Sequence, residues 1–387
     1  MKRSILVIMA AGLLGGFEVK AASAVYPEAS QLVQNRADGV LRIPLLPPGP
    51  GNPRNSEGAF AKLKDGRLLF IYTHFTGGAG DEAAAYIASR ESKDGGKTWS
   101  QEDKIVVPNE GRRNVMSVSL LRLKDGKLAM FYLRKESGTD CRPYVRFSTD
   151  EAGSWSEPKL CVTDETGYYV LNNDRVIQLS GGRLLMPLAL HATVSRPRFD
   201  SAARIMCYIS DDNGRSWRRG KGVLEPQDSA GKRIIAQEPG LVELRDGQIL
   251  MFCRTTSGYQ YVSYSKDGGE SWSAWAPSAL ASPLSPASIK RIPQTGDLLA
   301  VWNNHGPQDP VYNGRRTPLH AAISNDEGKS WKNIKVIEDH PKGWYCYTAI
   351  EFVDDNVLLG HCAGRTDLMN GLSHTQITRF PVKWLYE

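Results

Sequence analysis

The sequence predicts an all-β chain in which six four-stranded antiparallel units close into a propeller, and three observations carry that prediction. Five segments place Ser first, Asp two residues on, Gly four on and Trp seven on: Ser92-Asp94-Gly96-Trp99, Ser148-Asp150-Trp155, Ser210-Asp212-Gly214-Trp217, Ser265-Asp267-Gly269-Trp272 and Ser324-Asp326-Gly328-Trp331. Six turn dipeptides alternate with these boxes: Asp65-Gly66, Asp125-Gly126, Gly181-Gly182, Asp246-Gly247, Gly296-Asp297 and Asp355-Asn356. Each opens a hairpin such as LKDGRLLFIY or LRDGQILMFC, with β-forming residues on both sides. A unit of this size cannot bury both faces of its own sheet, whereas packing units around an axis does so. The even, long period disfavours a seven-bladed ring or a β-sandwich.

Within a box the Asp caps local backbone N–H groups, the Gly takes positive φ and the Trp folds back onto the blade. These are structural parts. The second box departs, with Ala152 where Gly is expected and Gly153 one place later, which predicts a different turn there. The sixth unit lacks a box, so its outer strand is expected from the N-terminal side, around Gln31 to Gln34, pairing with the strand near Ile377 to Val382 and closing the ring. The Pro- and Gly-rich stretch from Leu45 to Pro53 reads as a loop.

Hydrophobic residues make up 41% of the 387 and charged residues 23%, an ordinary globular balance. Lys2 and Arg3 precede an apolar run from Ile5 to Phe17, and Ala21-Ala22-Ser23-Ala24 offers a cleavage site before Val25. Residues 1–24 are therefore expected to be an export signal and residues 25–387 a single propeller domain, secreted or periplasmic. The apolar run is short for a membrane anchor, so stable membrane insertion is not expected. No cysteine precedes Cys141, which excludes a lipid-attached cysteine just after the signal.

The net charge of +6 falls to +4 without the leader, since Lys2, Arg3 and Lys20 go with Glu18. A mildly basic protein suits an anionic substrate, and no Lys/Arg run is long enough to track nucleic acid. Cys141, Cys161, Cys207, Cys253, Cys346 and Cys362 lack the CxxC spacing of a metal site, and both disulfides and buried thiols remain open. No metal or cofactor is expected, and the sequence carries no sign of oligomeric state.

In a propeller the innermost strands line the axis, so residues at one phase of each repeat converge. Counting back from each turn dipeptide gives Arg54 and Ser56 in the first unit, Asn114 and Ser117 in the second, and Asn173 and Asp174 in the third. Glu238 follows in the fourth and Tyr347 in the sixth. Polar residues entering a core in this way fit a pocket on the axis. Beyond the turns stand Asp81 in a Gly-rich loop, Arg254 at the end of MFCR, and Arg316.

The boxes, the spaced polar residues and the length resemble the exo-sialidases with their Asp-box propellers. The resemblance covers essentially the whole chain after the leader, and is strongest in DEAAAYIASRESKDGGKTW, NDRVIQLSGGRLLMPLALH, QEPGLVELRDGQILMFCR and NGRRTPLHAAISNDEGKSW. It implies retaining hydrolysis of terminal sialic acid from glycoconjugates. The anomeric carbon of that sugar carries a carboxylate that would repel an anionic nucleophile, so the family uses tyrosine. Tyr347 is the candidate, with Tyr345, two residues earlier on the same expected strand face, as the second choice and otherwise a substrate contact. Glu238 would take the phenol proton. Asp81 would be acid and base, with its neighbour Glu82 in competition. Arg254 and Arg316 would grip the substrate carboxylate through planar forks.

The third arginine departs from the family pattern. Arg42-Ile43-Pro44 lies too far upstream, and Asn55-Ser56-Glu57-Gly58 stands at the expected register, so Arg54 is assigned in its place. Ser56, Asn114 and Asp174 are further expected substrate contacts. A Tyr-Glu pair common in the family is replaced by His361-Cys362. The alternatives are a propeller glycosidase or lyase acting on another sugar acid, such as a 2-keto-3-deoxy sugar acid or a uronate glycan, and a non-catalytic carbohydrate-binding propeller. A lyase would call on His74, His191, His305 or His361, which lie near inner-strand ends.

Overall fold

The computed structural model describes residues 26–34, 38–228 and 230–387. The segment read as an export signal, residues 1–24, lies outside them. The described chain is almost entirely strand, and its sheets follow the repeat read from the sequence. Arg54–Lys62, Leu68–Phe75, Ala85–Ser92 and Lys104–Val107 form the first blade, in that order from axis to rim. Ala236–Glu243, Ile249–Thr255, Tyr259–Ser265 and Ala276–Ala281 form the fourth, and Ser288–Arg291, Leu298–Trp302, Leu319–Ser324 and Lys332–Glu338 the fifth. Six apolar clusters hold the described residues together, one at each interface between neighbouring blades. Burial therefore lies between sheets, as ring packing requires.

The sixth blade runs Gly343–Val353, Asn356–Arg365, Thr375–Pro381 and then Leu41–Leu46 from the other end of the chain. Closure by an N-terminal strand holds, but the strand is ten residues later than expected. Ala29–Leu32, where it was looked for, is one helical turn in which the Gln31 side chain accepts the Glu28 N–H. Leu45 and Leu46, read as the start of a loop, end the closing strand and are buried. Pro44 is tolerated because this is an edge strand and the pairing shifts register between Ile43 and Leu46. Arg42 bonds Glu338 at 2.8 Å and Asp38 at 2.9 Å, so Arg42-Ile43-Pro44 clasps the ring closed far from the axis.

The second and third blades are joined. Gly167–Val170 pairs antiparallel with Leu184–Thr193 of the third and meets Asp140–Ser148 of the second at Tyr168 and Cys141, giving one nine-stranded sheet. All six cysteines are free and buried.

The boxes work as their residue types dictate. In the first, Ser92 Oγ donates to Asp94 and accepts the Gly96 N–H at 2.9 Å, while Asp94 also receives the Thr98 N–H and hydroxyl. Although partial burial opposes it, these donors draw the Asp94 carboxyl down to about 2. In the second box Ala152 keeps the same hydrogen bond to Ser148 and the same left-handed backbone, at φ 65°. A side chain there costs about 1 kcal/mol relative to glycine. Ala152→Gly is accordingly expected to raise stability by up to about 1 kcal/mol, read as a higher denaturation midpoint at unchanged slope.

The inner strands share one irregularity. In four blades two residues on the inner strand oppose one on its neighbour: Glu57 and Gly58 against Tyr72, Ser117 and Val118 against Tyr132, Glu238 and Pro239 against Cys253, Tyr347 and Thr348 against His361. The first residue of each bulge has positive φ, 61° at Glu57, 58° at Ser117, 55° at Glu238 and 56° at Tyr347. Non-glycine residues rarely adopt this region, and the bulge that forces it re-aims one side chain per blade at the axis.

Candidate active site

Four bulge residues from four blades surround a cavity of about 70 Å³ at the hub. Its polar side is made by Glu57, Asp81, Ser117, Lys135, Asn172, Glu238 and Tyr347, and its apolar side includes Met116, Leu133, Val170 and the ring of Tyr168. The Tyr347 hydroxyl donates to Glu238 Oε1 at 3.2 Å. Arg254 reaches the same oxygen at 3.1 Å and bonds Gln237 Oε1 at 2.5 Å. Glu238 Oε2 and the Nε and Nη1 of Arg254 are buried without a protein partner, an arrangement that a polar ligand would complete. Arg316 lies with its guanidinium carbon 5.3 Å from the ring centres of both Tyr347 and Trp344. Burial, and then the Glu238 charge, raise the Tyr347 phenol above its ordinary range, with Arg316 and Arg254 opposing. Tyr347, Glu238, Asp81, Arg254 and Arg316 are thus brought to one place.

Tyr345 is not. The bulge at Tyr347 interrupts the two-residue alternation, and Tyr345 is 3% exposed within the apolar cluster between the fifth and sixth blades. Its assignment as a second nucleophile or substrate contact is withdrawn. Asp174 accepts the Ile350 N–H at 3.0 Å and sits 3.7 Å from Lys290, pinning the sixth inner strand rather than lining the cavity. Ser56 is fully buried and accepts from Arg54 Nε. Asn114 donates to the backbone carbonyls of Asp81 and Ala83, both at 2.8 Å, so it supports the acid loop instead of a substrate. Asn173 joins two bulges, donating to the carbonyls of Gly58 and Tyr347.

Arg54 reaches the site in a different role from the expected one. It is 1% exposed, lies over the Phe75 ring, and gives four hydrogen bonds, to Ser56, Glu57, the Ala79 carbonyl and Asp81, the last at 2.6 Å. With those donors committed it holds Asp81 and offers little to a substrate carboxylate. Burial by its surroundings pushes the Asp81 carboxyl up, but Arg54, and then Lys135 and Arg254, bring it below the usual range. Glu82 turns away to Lys135 at 3.2 Å, leaving Asp81 as the cavity carboxylate of the pair.

Glu57 was missed. It is buried between Arg54 at 3.1 Å and the Ser117 hydroxyl at 2.9 Å, and burial raises its carboxyl pKa against the pull of Arg54. Its signal was present in the sequence: Glu57, Ser117, Glu238 and Tyr347 each stand eight residues before the first residue of a turn dipeptide. Lys135 and Tyr168, outside the inner strands, gave no comparable signal. The four histidines considered for a lyase each have local partners, His74 with Asp103, His191 with the Asp200 carbonyl, His305 with two carbonyls and His361 with Thr378.

Residues 71–359 match the BNR repeat-like domain family. The chain belongs to that family, within the sialidase superfamily. A sialidase of Micromonospora viridifaciens is 26% identical over 331 residues, 78% of this chain and 48% of that protein, so the chain spans about half the length of this relative. Among solved structures, a protein of unknown function from Dyadobacter fermentans matches with a TM-score of 0.67 at 19% identity, covering 88% of this chain and 98% of that one. Trypanosoma rangeli sialidase matches with a TM-score of 0.69 at 16% identity, covering 91% of this chain and 61% of that one. The BNR propeller is common ground with these structures. Chemistry has to be argued from the hub.

Proposed function

We propose that the protein is a retaining exo-glycosidase that releases terminal sialic acid, or a closely related 2-keto sugar acid, from glycoconjugates, with Tyr347 as nucleophile. The observation that carries this reading is the 3.2 Å hydrogen bond from the Tyr347 hydroxyl to Glu238 beside two arginines at the hub. A phenol is neutral toward a substrate carboxylate and becomes nucleophilic when a carboxylate takes its proton. As the anomeric C–O bond breaks, Asp81 gives its proton to the leaving oxygen, the Tyr347 oxygen bonds to the anomeric carbon, and the phenol proton passes to Glu238. Asp81, now ionised, then takes a proton from water as that water displaces the tyrosine, and Glu238 returns its proton to the phenol. Arg254, through the Nε and Nη1 that the protein leaves unpaired, and Arg316, beside the Tyr347 ring, hold the substrate carboxylate.

Two displacements at one carbon retain configuration. Proton NMR of the first-formed sugar from an aryl sialoside is the test: the retained anomer is the expected result, and the inverted anomer overturns the tyrosine mechanism. The Glu57–Arg54 pair favours the wider substrate reading over common sialosides alone, because it leaves two arginines for the carboxylate and places an acidic acceptor beside Ser117, where a sugar hydroxyl can donate. Export is part of the proposal, resting on the leader-like residues 1–24, and places the reaction outside the cytoplasm.

A pH dependence follows from the Arg54 clamp. Asp81 must carry a proton to assist a poor leaving group, and Arg54 holds its pKa below the usual range. kcat/KM on an unactivated glycoside should therefore fall as pH rises through that depressed pKa, so activity is greatest on the acid side. Arg54→Gln removes the clamp and should move this descending limb to higher pH, measured as a pH profile on the same substrate.

A further inference from the structure

A cavity of about 620 Å³ lies outside the hub, under the loop that follows Leu184–Thr193 in the third blade. Four arginines line it, Arg196, Arg198, Arg204 and Arg233, against two carboxylates, Asp200 and Glu225. Arg233 takes both, at 2.6 Å and 3.6 Å. The other three have no acidic partner among the described residues, so the cavity carries an uncompensated positive field. Phe199 stands within this ring of charge, 51% exposed, with one face stacked on His191 at 4.5 Å and 4°. A rigid aromatic face beside guanidinium forks is a site for a ring that is apolar on one side and anionic at its edge.

This cavity adjoins the hub through a single layer of side chains. The Tyr168 ring, which lines the hub cavity, meets Phe199 edge-on at 5.6 Å and His191 at 6.4 Å, and its hydroxyl donates to Glu82, next to Asp81. Gln237 makes a second link, donating to the Ser201 carbonyl of the cavity wall and accepting from Arg254. A group leaving the hub past Tyr168, whose hydroxyl meets the neighbour of Asp81, would enter the arginine cavity.

We propose that this cavity is a subsite for the leaving portion of the substrate and selects an anionic sugar, sulfated or carboxylated, next to the bond that is cleaved. The proposal rests on the hydrolytic reading of the hub and names the substrate class for it. The probes are sialyl-N-acetyllactosamine, its 6-sulfated form, and a sialyl disaccharide ending in glucuronic acid, assayed with the full chain. An anionic probe is expected to exceed the neutral one in kcat/KM by about tenfold, the effect of one charge-assisted hydrogen bond of ordinary strength. The sulfated and glucuronate arms show which anion is preferred. Arg198→Ala/Arg204→Ala should abolish the preference, and Arg198→Glu should reverse it. Equal kcat/KM on all three probes, or a preference that survives both variants, overturns the subsite. Calorimetric binding of the sulfated and neutral lactosamines, without any sialic acid, is measured in parallel. If no sialoside is cleaved yet the sulfated sugar binds and the arginine variants lose it, the hydrolytic reading fails and the anion site stands. If neither sugar binds and no anionic preference is seen in cleavage, the site falls by itself.

Discussion

Tyr347→Phe is expected to lower kcat on any sialoside by about 10⁴-fold, with the propeller intact. Removing one oxygen leaves the ring against Arg316 and the backbone of the bulge unchanged, so the loss reads the nucleophile and not the fold. Activated aryl substrates must suffer as much as natural glycosides, because the first displacement has no other oxygen to use. Glu238→Gln should act in the same direction by about 10²- to 10³-fold, since the phenol, already pushed up by burial, then has no base at 3.2 Å. A Tyr347→Phe enzyme that keeps more than about a tenth of its activity would rule out the covalent route, whatever else the hub does.

Asp81→Asn is expected to split substrates by leaving group. Loss of the proton donor should cost about 10²- to 10⁴-fold on a glycoside with a sugar alcohol as leaving group, and far less on a nitrophenyl glycoside that departs without assistance. Asn keeps the side-chain volume and can still meet Arg54, so the loop held by Asn114 and Lys135 should stay in place. The measurement is the ratio of kcat/KM on the two substrate types, and equal losses on both would take the acid role away from Asp81. The variant should also lose the descending limb of the pH profile, because that limb belongs to this carboxyl.

The parts of the structure that were legible in the sequence are those made by local chemistry. Each box is a closed set of hydrogen bonds within a few residues, and each turn dipeptide is required by its own backbone, so repeat number and blade order could be read without any tertiary information. Tyr347 and Glu238 were found because the turns fix their phase. Tyr345 was misplaced because strand alternation was assumed to run through a bulge that only cross-strand register reveals. Glu57 went unnoticed because an arginine was being sought at that register, although its distance from the turn is the same as that of Tyr347. Gly167–Val170, which joins two blades, has no turn signal and makes its pairing with residues far away. The closing strand was expected ten residues too early, and Leu45 and Leu46 were read into the loop, because its pairing is made with the far end of the chain.

The four bulges have a consequence for how such a hub chooses its ligand. The kink is built by pairing register, and it is shared by residues of quite different chemistry. A glutamate, a serine, a second glutamate and a tyrosine occupy equivalent sockets on an otherwise common frame. The occupants bond across the hub in twos, Ser117 with Glu57 and Tyr347 with Glu238, so ligand preference on this wheel is set by two couples of spokes on a frame that both leave standing.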